Sequence, residues 1–511
     1  MSVPTLNKIS IALVLSSLAV PVLAATGGLV GTVTGPGDTG LPGVTVTVQG
    51  EEAGADRTVI TGEGGSFRVS NLDTGDYTVN GSLHGFHPAS LEVTVRDGET
   101  ARVRLALSIA TFHDTMQVDA PLPHTTMEAT ELRESAARDV GEALSRMGGV
   151  WKVRKGGIAN DVSIRGFRQD DITVLIDGAR VAGACPNRMD PPAFHLDFAE
   201  VDRIEVAPTT GRMEAQGSMG GMVNVVTKKP GTGFHADVTM AAGSWGMINP
   251  SATVSYGTDR WAVLGGLSHR SGEPFADGSG EKFTETANYT DAVEDVDAYN
   301  VDSGWTRMYV RPADGHELNL SYAGQRSDDV LYSALKMDAE YDDTDRLVLG
   351  YRFAGSGDGT LREVRATAYG TRVDHWMTDT YRTTGAMAPR GWGMGTNATT
   401  EIIGGTVDVV LGEFTVGAEA YRRNWDAWTE LGMMSYMRQF SIPDVTVDAV
   451  GMSARWRHAF SEGTQLEVGG RVDRVSTKAD EGKANTDLYY AYHGVRDTSR
   501  DDVEPSFSLR L

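Results

Sequence analysis

The 511-residue sequence has one cysteine, no uncharged apolar run of eighteen or more residues after its first thirty positions, and a deficit of basic side chains, 46 against 69 acidic ones. Each shortage closes off a class of protein. A single cysteine cannot build an internal disulfide framework, so Cys185 is either a buried small hydrophobe or a functional thiol. Without a long apolar run there is no candidate transmembrane helix. A formal net charge of −23 argues against nucleic acid, whose phosphates demand basic patches. Acidic runs such as Asp342-Asp343-Thr344-Asp345 read as solvated loops that attract cations weakly. No HExxH or similar zinc motif occurs, so the chain lacks the chemistry of a metallopeptidase and is not expected to be an enzyme.

What is present divides along the chain. Lys8, an apolar stretch from Ile9 to Leu23, and Val22 and Ala24 at the −3 and −1 positions of a cleavage site make residues 1–24 a signal peptide for export. Residues 27–110 alternate in short β-segments, with Val44, Val46 and Val48 on one face, then Phe67 and Val69, then Tyr77 and Val79. Gly62-Glu63-Gly64-Gly65 and Asp73-Thr74-Gly75-Asp76 supply turns between them. The pieces GLPGVTVTV, GSFRVSNLDTGDYTV and HGF resemble the carboxypeptidase regulatory-like domain, a β-sandwich accessory without peptidase activity.

Residues 111–130 are polar, with Pro121 and Pro123, and suit an extended linker. Residues 131–230 mix a helical stretch, Asp139 to Met147, with short buried strands such as Ile172 to Ile176 before the Asp177-Gly178 turn, an α+β pattern. The series VSIRGF from Val162, VLIDG from Val174, VDRIEVAP from Val201 and GSMGGMVNVVTKKP from Gly217 closely resembles the plug domain of TonB-dependent receptors, in that family's order. One departure is Ala207-Pro208-Thr209, where the family has Arg-Gly-Pro. The resemblance implies outer-membrane location in a Gram-negative cell and work with TonB and its inner-membrane energising complex. It also identifies Asp114-Thr115-Met116-Gln117-Val118 in the linker as similar to a TonB box, which pairs with the TonB sheet by β-augmentation, mainly through main-chain hydrogen bonds.

From 231 to 511 the texture is that of a transmembrane β-barrel, with one face toward outer-membrane lipid and the other toward a polar lumen. Leu318, Leu320 and Tyr322 alternate with Glu317, Asn319 and Ser321; Val364, Ala366 and Ala368 with Glu363, Arg365 and Thr367; Leu466, Val468 and Val472 with Gln465, Glu467 and Asp473. Tight turns such as Gly257-Thr258-Asp259 take turns with long connections expected near 272–302, 327–345, 375–400 and 476–500. The whole is a mainly β chain: a β-sandwich, an α+β plug, and an antiparallel transmembrane barrel. Roughly 12 strands are expected after Phe234, where plugged transporters close with about 22. Since the bilayer does not tolerate unpaired strand edges, a truncated sequence is expected; in a genuine twelve-strand barrel a plug of this size would not fit.

The chemistry concentrates at Cys185-Pro186-Asn187-Arg188-Met189-Asp190-Pro191-Pro192. Pro186 suits the first position of a helical turn, with Cys185 as its N-cap. Residues four apart share a face, so the Cys185 and Met189 sulfurs can converge before the prolines stop the turn. Thiolate plus thioether selects Cu(I) over hard cations, and a helix N-terminus favours the thiolate. Spacing alone leaves open a buried Cys beside a core Met. The segment resembles the copper receptors of the TonB-dependent superfamily, in which this Cys and Met bind the metal and an HxM pair from the barrel completes the site. Here that pair is His375 and Met377, expected just after a strand from Glu363 to Val373 and directed the same way by strand alternation. The resemblance thus implies active import of copper held by Cys185, Met189, His375 and Met377. Met387, Met394, Met433, Met434 and Met437 fall in expected outer loops, as a copper relay or as loop packing. The alternatives are a siderophore or haem receptor, whose loops would be aromatic and Arg-lined, and a surface adhesion or signalling protein anchored by the barrel.

Overall fold

The computed structural model describes residues 26–511 apart from 51–56, 84–85, 109–124, 129–130, 132–136, 138, 169–170, 208–214, 218, 287, 356–358, 387–392, 432–437 and 462. The signal-peptide segment and the five TonB-box residues lie outside the described residues. Two compact units are present, Met1–Val118 and Asp119–Leu511.

In the first unit, period-two alternation produces two facing sheets. One orders Arg57–Ile60, Thr45–Gly50, Gly75–Ser82 and Ala89–Val95; the other orders Ser66–Asp73, Thr26–Thr34 and Thr100–Ala106. Val44, Val46, Val48, Phe67, Val69, Tyr77 and Val79 all enter the shared core, where Leu29 and Val33 meet them. Gly65 is required by its turn: its φ is +73°, and a Cβ there would stand 2.2 Å from the Val33 carbonyl oxygen.

The second unit contains a plug and a large antiparallel sheet. The plug is richer in strands than the sequence suggests. A five-stranded sheet orders Ala179–Arg180, Ile172–Ile176, Gly221–Thr227, Val201–Ala207 and Thr125–Glu128, beside a three-stranded sheet of Phe167–Arg168, Asp161–Ile164 and Val150–Val153. The expected helix is cut to Val140–Leu144. Asp139 caps its start by accepting from the Glu142 N–H at 2.7 Å, and the Ser145 hydroxyl takes up the Glu142 carbonyl at 2.6 Å, which ends it.

Twelve strands follow in sequential antiparallel order, from Gly233–Ala242 to Ser499–Arg510, each bonded to the next. Among the described residues the first and last strands each have a partner on one side only, so the sheet is open. Its outer face exposes Leu318, Leu320, Tyr322, Leu347 and Leu349, while Arg307, Gln325 and Arg346 are buried on the inner face. That is the lipid-out, polar-in alternation of a membrane barrel.

Strands are longer than expected near the site. Asp338–Ala354, Leu361–Thr378 and Met394–Leu411 span 17, 18 and 18 residues. They absorb much of the loops expected at 327–345 and 375–400, leaving 331–337 and 379–393 as connections. His375 and Met377 consequently lie inside a strand rather than after one.

The plug sits against the inner face through buried ion pairs. Asp197 meets Arg270 at 2.9 Å, Glu200 meets Arg307 at 2.9 Å and Arg346 at 2.7 Å, and Arg180 meets Glu419 at 2.9 Å. Burial alone would push the Glu200 carboxyl up, but the Arg346 and Arg307 guanidiniums outweigh it and hold it below its ordinary value.

Candidate metal centre

The plug half of the site is a tight turn, not a helix start. The Cys185 carbonyl accepts from the Arg188 N–H at 2.9 Å, and Arg188 then adopts a left-handed conformation with φ +56°. That reversal prevents a second helical turn, so no helix dipole acts on the thiol. Asp190 fixes the turn instead: its carboxylate accepts from the Ala184 N–H at 2.5 Å and the Cys185 N–H at 3.0 Å. The turn still brings Cys185 and Met189 into one buried cluster, with Phe194, Tyr332 and Met377.

The barrel half comes from Leu361–Thr378. Strand alternation places His375 and Met377 on the inner face, and register sets His375 opposite Asp342 and Met377 opposite Ala339 on the neighbouring strand. Cys185 Sγ lies 3.5 Å from Met377 Sδ. The four side chains are sealed from solvent, at 2%, 3%, 0% and 0% exposure for Cys185, Met189, His375 and Met377. His375 Nδ1 is 2.9 Å from Asp342 Oδ2, and its Nε2 has no hydrogen-bond partner among the described residues.

The acidic run is not the solvated loop it reads as. It lies within Asp338–Ala354, and strand alternation splits it. Asp342 and Thr344 point inward and are fully buried, while Asp343 and Asp345 face Arg326 at 3.7 and 3.0 Å.

Two residues of the site carry no motif and escaped the sequence reading. His195, after the turn Pro192–Phe194, places Nδ1 2.8 Å from the Thr344 hydroxyl and 3.4 Å from Asp342 Oδ1. Burial disfavours its protonation, yet Asp342 and Asp190 outweigh that and hold its pKa above the ordinary histidine value. Tyr332, in the connection 331–337, is completely buried and donates its hydroxyl to the Met189 carbonyl at 2.7 Å. Ala334 in the same connection donates its N–H to the Lys155 carbonyl at 3.1 Å, and Asp338 just after it pairs with Arg382, while Tyr332 and Leu335 pack into the cluster of Cys185, Met189 and Met377. Of the other methionines, Met394 packs against the cluster; Met387, Met433, Met434 and Met437 lie outside the described residues.

Residues 28–108 match the carboxypeptidase regulatory-like domain and residues 117–222 match the TonB-dependent receptor plug domain. The structure of the copper transporter OprC superposes with a TM-score of 0.63 at 20% identity, over 76% of this chain and 60% of that one. The FrpB iron transporter from Neisseria meningitidis superposes with a TM-score of 0.55 at 15% identity, over 75% of this chain and 61% of that one. The chain has the plug and barrel fold of a TonB-dependent receptor. Among curated relatives of this receptor fold, the vitamin B12 transporter BtuB of Vibrio cholerae is 32% identical over 101 residues, 19% of this chain and 16% of its own length. The TonB-dependent transporter Oar of Myxococcus xanthus is 24% identical over 258 residues, 45% of this chain and 24% of its own length. The chain thus spans less than a quarter of the length of these curated relatives. Within the TonB-dependent receptor fold, all four sulfur and imidazole donors stand at the seam between plug and barrel wall.

Proposed function

We propose that the chain serves TonB-dependent active import across the Gram-negative outer membrane and that the cargo is copper, held as Cu(I) between plug and barrel. The observation that carries this reading is the 3.5 Å contact between Cys185 Sγ and Met377 Sδ, with His375 on the same strand face and Met189 in the same cluster. Three sulfurs and one imidazole form a soft donor set suited to Cu(I) and poorly suited to oxidised iron, Mg²⁺ or Ca²⁺. Solved structures of this fold include iron transporters as well as a copper transporter, so the cargo is argued from the donors and not from the fold. In this reading TonB engages Asp114 to Val118 by β-augmentation and, driven by its inner-membrane complex, remodels the plug.

A siderophore or haem cargo is favoured by one feature, a cavity of about 460 Å³ beside Cys185 that Arg180, Arg188, Tyr421, Arg423 and Trp425 help to line. Two of its three guanidiniums are already committed: Arg180 to Glu419, Arg423 to the Gly183 carbonyl and the Thr400 hydroxyl. A bare ion at the sealed sulfur cluster needs none of them. The test is titration of the chain in detergent with Cu(I) against a competing chelator. Stoichiometric binding by the wild type, weakened but measurable in Cys185→Ala and Met377→Ala, is expected; equal weak binding by all three overturns the copper reading.

A further inference from the structure

We propose that Asp342 is the positioning residue that makes His375 a metal ligand, and that it links this barrel imidazole to the plug through His195. The inference rests on the copper reading. Asp342 stands directly across from His375 in strand register, with Oδ2 2.9 Å from Nδ1. An ionised carboxylate only accepts, so the neutral imidazole must carry its proton on Nδ1 and present a bare lone pair at Nε2. That nitrogen has no hydrogen-bond partner among the described residues and is fully buried, two residues along the same strand face from Met377, whose Sδ lies 3.5 Å from Cys185 Sγ. A carboxylate behind a ligating histidine fixes ring and tautomer and makes the free nitrogen more basic.

The other oxygen of Asp342 reaches into the plug. Oδ1 is 3.4 Å from His195 Nδ1, His195 Nε2 is 3.8 Å from Asp190 Oδ2, and the Asp190 carboxylate holds the Cys185 N–H. One file of buried polar groups therefore runs from beneath the plug's thiol to the barrel's imidazole. A separate hard-cation site is the competing use, because donor atoms of Asp190, Asp342 and His375 lie within 4.8 Å of one another. Both Asp190 oxygens, however, already accept backbone N–H groups, and Asp342 Oδ2 already accepts from His375. A cation would have to share these oxygens with bonds that already orient them, and His375 could join it only through the Nε2 that faces away from Asp342 Oδ2.

The experiment compares the full chain with Asp342→Asn, which keeps the shape and removes the charge, and Asp342→Leu, which removes the acceptor. Cu(I) affinity is expected to fall about 10–100-fold in both, with the imidazole contribution to copper-edge X-ray absorption reduced and the sulfur contribution kept. Wild-type affinity in both variants, while His375→Ala binds weakly, overturns the proposal and leaves the copper reading intact. A second readout needs no metal: ¹⁵N shifts of His375 in the copper-free chain at alkaline pH. They should report the Nδ1-protonated form in the wild type and a changed tautomer balance in Asp342→Leu. Unchanged shifts overturn the role of Asp342 whatever the chain binds.

Discussion

The sulfur atoms of Cys185 and Met377 lie 3.5 Å apart although 192 positions separate the two residues in sequence. One belongs to the plug and the other to the sheet that receives it. If a soft ion occupies this contact, the two sulfurs act as one site. A double-mutant cycle of Cys185→Ala and Met377→Ala, read by Cu(I) affinity, should then show a coupling of about 0.5–3 kcal/mol. Strict additivity would mean that the halves bind independently.

The sandwich and the lipid-facing strands were legible because period-two alternation is written directly in residues such as Val44, Val46 and Val48 or Leu318, Leu320 and Tyr322. Cys185 and Met189 do share a cluster, but through a turn that Arg188 reverses rather than through a helical face. Proline and spacing cannot report a positive φ at an arginine. Asp342 was misread because four polar residues in a row look the same to composition whether they coil in water or alternate across a strand. His195 carried no motif, since the barrel partners that give it its place, Asp342 and Thr344, are remote in sequence, Thr344 at a separation of 149.

The Glu200 tether gives a stability test. Glu200→Gln leaves Arg307 and Arg346 buried without their carboxylate, and breaking such a buried cluster costs about 3–5 kcal/mol. Urea unfolding of the chain in lipid vesicles should register that loss. Because the folded carboxyl lies below its ordinary value, its contribution is complete above the unfolded glutamate pKa, about 4.3. It fades as pH falls through the lower folded value. The wild type should therefore lose plug stability in that acid window, and Glu200→Gln should show a flatter profile there.

Tyr332→Phe tests the connection 331–337. It deprives the buried Met189 carbonyl of its donor, at about 1–3 kcal/mol. Residues 331–337 should exchange amide hydrogens faster, and Cys185, the only thiol in the chain, should react faster with a maleimide. An unchanged labelling rate would show that solvent reaches the thiol by another route.

Deleting residues 114–118 separates capture from transport. Copper uptake by whole cells should cease while Cu(I) binding to the purified chain persists. Uptake at the wild-type rate would remove these residues from any role in energising.

The seam location of the four donors has a mechanical reading. Cys185 and Met189 travel with one body, His375 and Met377 with the other, so the site is a rivet that exists only while the two surfaces touch. Sliding them apart by an ångström or two would break the sulfur contact without altering a single side chain. In the proposed copper reading, grip and release become positions on one displacement coordinate, and an occupying ion would stiffen the very joint that must be sheared to let it go.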